Sequence, residues 1–289
     1  ECQLIVFVGA VGIAVRTIAP YIKNKLVDPA VLSVDEGGNF VIPLLSGHIG
    51  GANGFAKVLA KVIKATPVVT TATDVNKLFA VDEWAARNNM IINSMKAAKD
   101  FAAALVDGQE VGLFTDYPII SALPRQIVLK DKGVTGLAIT KNRNVNPFDL
   151  TVQLWPRNIY LGIGCRRGTT LESIETLVLP KLKELGIDLR TIVGVASVDL
   201  KKDEAGLLNF AAKYNWEISF FTAEELQNAA GEFSSSDFVK SVVGVSNVCE
   251  RSAVLAANNG SIISSKCSLN GVTLAVAEAD IVLDFEKLS

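Results

Sequence analysis

Short apolar runs broken by glycine alternate with stretches of helical spacing at both ends of the 289-residue chain. Leu4-Ile-Val-Phe-Val8 is a run of the buried-strand kind closed by Gly9, and Val11 to Ile22 then carries apolar residues at helical spacing around Arg16. Val31-Leu-Ser-Val34 and Phe40-Val-Ile-Pro-Leu-Leu45 flank Asp35-Glu-Gly-Gly-Asn39, which predicts a hairpin. After a glycine-rich loop, Ala52, Phe55, Ala56, Leu59, Val62 and Ile63 follow the i, i+3, i+4, i+7 rule of an amphipathic helix. Pro67-Val-Val-Thr70 predicts the next strand.

From about Asn76 the pattern becomes more helical, with helices expected over Ala80–Asn88 and Ser94–Val106 before a strand at Glu110–Phe114. Thr140 to Pro147 is polar and turn-rich and is expected to lead into a linker. Strand and helix signals then alternate again. Ile159–Ile163 and Ile192–Val195 predict strands, Glu204–Tyr214 a helix and Glu217–Phe221 a strand. Capping boxes are expected at Thr169-Thr-Leu-Glu172 and Thr222-Ala-Glu-Glu225, a further helix start at Asn247, and a hairpin turn at Asn270-Gly271. The expected architecture is layered α/β, with α/β domains over 1–75 and 151–289 and a smaller, more helical central section over 76–150.

Composition narrows the class. Hydrophobic residues make up 49% and charged residues 20%, as in a packed globular protein. The formal net charge of -2 lacks the basic footprint of a nucleic-acid partner. No apolar run approaches the roughly 18 residues that span a bilayer, so a cytoplasmic protein without a membrane partner is expected. Cys2, Cys165, Cys249 and Cys267 are widely separated, without paired metal-ligand spacing, and are read as reduced thiols.

The chain has one histidine, His48, in Ser46-Gly-His48 just ahead of the predicted helix. Such a loop lies at the carboxyl end of a strand, where open α/β sheets bind ligands. Gly47, Gly50 and Gly51 let backbone approach a ligand closely. The positive end of the following helix disfavours an imidazolium, so a neutral, proton-accepting imidazole is expected. The plainer alternative is a histidine that caps the helix or satisfies a core hydrogen bond. Thr71, Thr73 and Asp74 leave the next strand at the same sheet edge, placed to orient the imidazole or a water. Ser46, His48 and Asp74 form a nominal hydrolase triad. The close spacing of Ser46 and His48 and the lack of a Gly-x-Ser-x-Gly elbow argue against covalent serine catalysis.

Gly162-Ile-Gly-Cys-Arg-Arg-Gly168 is one residue too long for a dinucleotide fingerprint. Arg166 and Arg167 before a capped helix fit an anion site better, with solvated surface arginines as the plain alternative. Cys165 lies in this electropositive loop, but no second histidine exists to activate it as a nucleophile.

These motifs together carry a resemblance. Gly9-Ala-Val-Gly-Ile-Ala-Val-Arg16, Ile18-Ala-Pro20, Lys25-x-x-Asp28-Pro-Ala30, Val34-Asp-Glu36, Leu44-Leu-Ser-Gly-His48, Gly50-Gly-Ala-Asn53 and Thr70-Thr-Ala-Thr-Asp74 occur in order. This half resembles the amino-terminal half of the cobalt-precorrin-5A hydrolase family of anaerobic cobalamin biosynthesis. Gly162–Gly168, Ala196-Ser-Val-Asp199 with Lys202 and Glu204, and Val248-Cys-Glu250 resemble that family's carboxyl-terminal domain. Residues 76–150 resemble it only weakly. Family members usually begin with a further segment ahead of the match to Leu4, and the start at Glu1 without Met agrees with a truncated amino-terminal domain.

The resemblance implies a cytoplasmic enzyme that opens the ring A δ-lactone of a cobalt corrinoid, after which a two-carbon fragment from C20 leaves as acetaldehyde. His48 is then the base or proton carrier, with Asp74 and Ser46 as its companions. Amides at the start of the following helix would receive the oxyanion. Arg16, Lys25, Arg166 and Arg167 would position the substrate carboxylates, with Gly47, Gly50, Gly51, Asn53, Thr71, Thr73 and Cys165 lining the substrate, which is expected between the two end domains. Cobalt belongs to the substrate, so no cofactor and no protein metal site are expected. Whether the chain forms a homo-oligomer or hands its product directly to the next pathway enzyme stays open. A non-catalytic corrinoid carrier with His48 as axial cobalt ligand is the alternative, and a nucleotide-binding regulator a third reading.

Overall fold

The computed structural model describes residues 2–24, 27–48, 50–76, 78–231, 233 and 247–286. It divides into two compact units, Glu1–Leu154 with Asp284–Ser289, and Trp155–Leu283.

The first unit opens with a four-stranded sheet of β1 (Leu4–Val8), β2 (Ala30–Val34), β3 (Phe40–Leu45) and β4 (Thr66–Pro67), in that order. β1 runs parallel to β2, and β2 and β3 form the expected antiparallel hairpin. Helix α1 (Val11–Ile18) follows β1, and α2 (Ala52–Ile63) covers one face of the sheet. Ala30, Leu32, Val34 and Val41 meet Ala52, Ala56 and Ala60 there, and a helix stripe of alanines lets the two backbones approach closely. The fourth strand is shorter than expected. It stops at Pro67, an edge position where a missing N–H costs the ladder nothing, and Thr71 already stands as the N-cap of the short helix α3 (Ala72–Val75).

Downstream come α4 (Val81–Arg87), β5 (Met90–Ile92), α5 (Met95–Val106), β6 (Val111–Thr115), β7 (Ile127–Leu129), β8 (Gly133–Ile139) and β9 (Phe148–Pro156). Both expected helices are present, joined by a five-stranded sheet of order β5-β9-β8-β6-β7. The polar stretch 140–147 is a loop fastened by the Gln153 side-chain amide, which donates to the carbonyls of Arg143 and Val145. β9 then runs on past position 150 to Pro156. Trp84 of α4 stacks on Phe285, with ring centroids 4.7 Å apart, and its indole N–H donates to the Asp284 carbonyl.

The second unit is built on β10 (Ile159–Cys165), α6 (Leu171–Glu184), β11 (Ile192–Val198), α7 (Ala205–Lys213), β12 (Glu217–Phe221), α8 (Ala223–Gln227), α9 (Val248–Ala256), β13 (Ser261–Leu269) and β14 (Val272–Glu278). The sheet order is β12-β11-β10-β14-β13, parallel from β10 to β12 and antiparallel through the closing hairpin. Its core joins Leu161 and Ile163 with Ile174, Val178, Leu182 and Phe210. The cap of α6 is Thr170, one residue later than expected, its side chain accepting from the Ser173 N–H, while the Thr169 hydroxyl donates to the Arg166 carbonyl. The box at Thr222 and Glu225 forms as expected. Among the described residues, no helix is long and apolar enough to cross a membrane.

Candidate active site

The loop that carries His48 leaves β3 and folds back as the cap of α2. Gly51, the N-cap, has φ +80°, a left-handed conformation that glycine adopts without strain. A Cβ on Gly47 would lie 2.9 Å from Asn53 Oδ1, and one on Gly50 only 2.4 Å from Ser46 Cβ. The glycines are therefore required by the loop's own packing. Ser46 holds φ +57°, and its hydroxyl donates to the Asp28 carbonyl at 2.9 Å, which makes it a loop anchor. The amides of Gly51, Ala52 and Asn53 donate to the carbonyls of His48, Ser46 and Gly47. These first amides of the helix are thus consumed by the loop, and the expected oxyanion cradle is not formed by them.

Around the imidazole, side chains converge from three later elements. His48 Nε2 lies 3.4 Å from Asp74 Oδ2, and Nδ1 lies 3.3 Å from Asp82 Oδ1. Asp74, on α3, is held from several sides. Its Oδ2 accepts from Thr71 Oγ1 at 2.6 Å and from Asn53 Nδ2 at 2.9 Å, while Lys57 Nζ reaches Oδ1 at 2.6 Å. Asn53 is fully buried, so its amide is spent fixing this carboxylate. Asp82 and Glu83 stand in the first turn of α4, and Glu83 pairs with Arg87 one turn later.

The electrostatics shift the imidazole toward its charged form, opposite to the direction expected from the helix end. The hydrogen bond to Asp82 raises the His48 pKa above 6.5; burial opposes the rise, and the charges of Asp82, Glu83 and Asp74 add to it. Whole carboxylate charges at this range outweigh the partial charge of a helix end. Burial pushes Asp74 up, but Lys57, Thr71 and Asn53 overcome it and hold the carboxyl below its usual range. Asp82 is likewise lowered: burial opposes, and the bond from His48 prevails.

His48, Asp74 and Glu83 bring ligand-type atoms within 4.8 Å of one another. Their carboxylates are already committed, Asp74 to Lys57, Thr71 and Asn53 and Glu83 to Arg87, so the set is neutralised by protein cations. His48 and Asp74 keep 18% and 12% of their side-chain surface exposed.

The structure thus brings together His48, Asp74, Asn53 and Thr71 of the expected set, with Gly47, Gly50 and Gly51 shaping the loop. The side chain of Thr73 and all of Lys25 lie outside the described residues. Arg16 is exposed in the last turn of α1. In the second unit, Arg167 is paired with Asp203 and the Leu200 carbonyl, and Arg166 runs over Gly271. Burial pushes the Cys165 thiol up, which disfavours the thiolate. Lys57, Asp82, Glu83 and Arg87 were not anticipated. The available signal was an acidic pair opening the helix directly after the Thr70–Asp74 motif.

The site is thus an imidazole held between carboxylates in the loop after β3 of an α/β scaffold. Three family models cover nearly the whole chain: cobalamin synthesis G N-terminal over residues 1–74, cobalamin biosynthesis central region over 79–156, and cobalamin synthesis G C-terminus over 159–277. A cobalt-precorrin-5A hydrolase of Salmonella typhimurium is 36% identical over 288 residues, covering 95% of this chain and 82% of that protein. Another, from Priestia megaterium, is 31% identical and covers 94% and 78%. A probable cobalt-precorrin-5A hydrolase of Methanocaldococcus jannaschii is 28% identical and covers 96% and 85%. The chain belongs to the cobalamin synthesis G family, that of the cobalt-precorrin-5A hydrolases.

Proposed function

We propose that the protein is a cobalt-precorrin-5A hydrolase, which opens the ring A δ-lactone of its cobalt-corrinoid substrate and frees the C20 two-carbon fragment as acetaldehyde. The observation that carries this reading is likeness to hydrolases of that name along 94% or more of the chain. The geometry supplies the residues. Water must lose a proton as it adds to the lactone carbonyl, and the departing ring oxygen must gain one. His48 carries that proton, giving it up from the imidazolium and recovering it from water. Asp74 stabilises the charged ring and holds it toward the substrate side of the loop. Ser46 is left as the anchor of the loop, and no protein metal or cofactor is assigned a step.

Arg166 and Arg167 are retained as a substrate-carboxylate contact in the second unit. Arg167 would exchange its exposed bond to Asp203 for the ligand at little cost. Cytoplasmic location belongs to the same reading. Anaerobic incubation of the protein with the lactone-bearing cobalt corrinoid, with acetaldehyde assayed over time, tests it. Release well above the enzyme-free rate is expected, whereas binding with a shifted cobalt spectrum and no acetaldehyde would mark a carrier.

A further inference from the structure

Three carboxylates face the imidazole of His48, and they differ in what else they hold. Asp74 is matched by Lys57 of α2, and Glu83 by Arg87 of its own helix. Asp82 accepts the backbone N–H of Glu83 at 3.0 Å, and among the described ion pairs its one cationic partner is His48. Its helix is packed on one face. Val81, Trp84 and Ala85 bury the inner face of α4, and the indole of Trp84 is stacked on Phe285 and hydrogen-bonded to the Asp284 carbonyl. The carboxylate meets Nδ1, the ring nitrogen opposite to the one that faces Asp74.

We propose that Asp82 is the positioning residue of the site: it accepts the Nδ1 proton of His48, fixes the ring's orientation, and reserves Nε2 for proton exchange with the reacting groups. A carboxylate behind an imidazole selects the tautomer and stabilises the imidazolium that forms in proton transfer. The His48 pKa, raised above 6.5 with the bond to Asp82 as the largest cause, agrees with this geometry. The site is therefore composite. The imidazole comes from the part matched by the amino-terminal family model, and its orienting carboxylate from the part matched by the central-region model, 79–156. The catalytic consequence rests on the proposed hydrolase reading, but the ring contact does not.

Because the chain has one histidine, its imidazole NMR signals belong to His48 without assignment work. The test is a pH titration of those signals, with ring nitrogen shifts reporting the tautomer, on the full chain as wild type, Asp82→Asn and Asp82→Glu. The other charged groups facing or bracing the ring, Asp74, Glu83, Lys57 and Arg87, stay in place. We expect Asp82→Asn to lower the His48 pKa and raise the share of the Nδ1-bare tautomer, and Asp82→Glu to restore part of both. In the lactone assay the alkaline-side limb of the pH–kcat profile should move down with the ring pKa. kcat itself should fall, by less than the roughly 10²–10⁴-fold expected for loss of a general acid–base group.

An unchanged titration and tautomer in folded Asp82→Asn overturns the proposal, as does a shifted titration with wild-type kcat and pH profile. Should Asp82→Asn fail to fold, Asp82→Glu decides by the same two readouts against wild type. If the wild type releases no acetaldehyde, the hydrolase reading fails while the titration still decides the Asp82–His48 contact.

Discussion

The loop after β3 and the loop after β10 are built alike: each closes a strand with clustered glycines, opens a helix and carries residues capable of chemistry. What reaches them from elsewhere in the chain separates them. Three carboxylates meet the imidazole of the first loop, from α3 and α4, and two cations brace those carboxylates in turn. The second loop is tied to neighbours within its own unit. The Gly168 N–H donates to buried Glu204, Arg167 reaches Asp203, and Cys165 is pushed toward its neutral form. Glycine spacing marks places where a chain can turn sharply before a helix. Reactivity depends on the charges that the rest of the fold delivers there.

The largest effect that could break this contrast is at His48. His48→Gln should fold, bind corrinoid and open the lactone slower by roughly 10²–10⁴-fold, since no other histidine can substitute. Near-normal acetaldehyde release per folded molecule would place the first loop beside the second as structure. A changed cobalt spectrum on substitution would instead mark an axial ligand.

Charge reversal at both Arg166 and Arg167 probes the other side of the contrast. Corrinoid binding should weaken and become more sensitive to salt, read by spectral titration at two ionic strengths. Unchanged affinity would leave the second loop with no part in substrate binding.

Stability against pH sharpens the electrostatic account. The folded-state pKa of His48 is raised, so its contribution is complete below 6.5 and is lost as pH rises through the folded value. Asp74 and Asp82 are lowered, so theirs is complete above 3.8 and is lost as pH falls through their folded values. The cluster should therefore stabilise most between those limits. The decline in Tm on the alkaline side should be shallower in His48→Gln than in wild type; equal slopes would deny the coupling. The smallest effect belongs to Cys165→Ser, which should keep most activity, because the thiol is protonated and half-buried in the resting loop. A folded, corrinoid-binding but inactive variant would bring the nucleophile back.

Much of the fold was legible in the bounds of its elements, less so in their burial. The runs at Leu4–Val8, Phe40–Leu45 and Ala52–Ile63 become elements with those bounds, but Val6 and Val8 of the expected buried strand are exposed, and so are Phe55, Val62 and Ile63 of the helix, which meets the sheet through Ala52, Ala56 and Ala60. Most of the central sheet was not read from the sequence: β5 and β7 are three residues each, too short for alternation to register, and the longer β8 and β9 were missed as well. At the site, His48, Asn53, Thr71 and Asp74 could be read from one run of sequence. Asp82 could not, because an acidic residue in a helix's first turn is ordinary favourable placement. Only the fold brings it back across 34 positions to the ring.

The pairing of Trp84 with Phe285 has a consequence for biosynthesis. Helix α4 carries Asp82, yet the aromatic ring that seals it is added only after the whole second unit has been translated. Chains emerge amino-terminus first, and contacts so distant in sequence form slowly. A ribosome-bound chain can thus assemble the glycine loop and its histidine early, while the helix that steadies the ring waits unsealed. The stacking that packs α4 therefore depends on residues translated after the whole second unit.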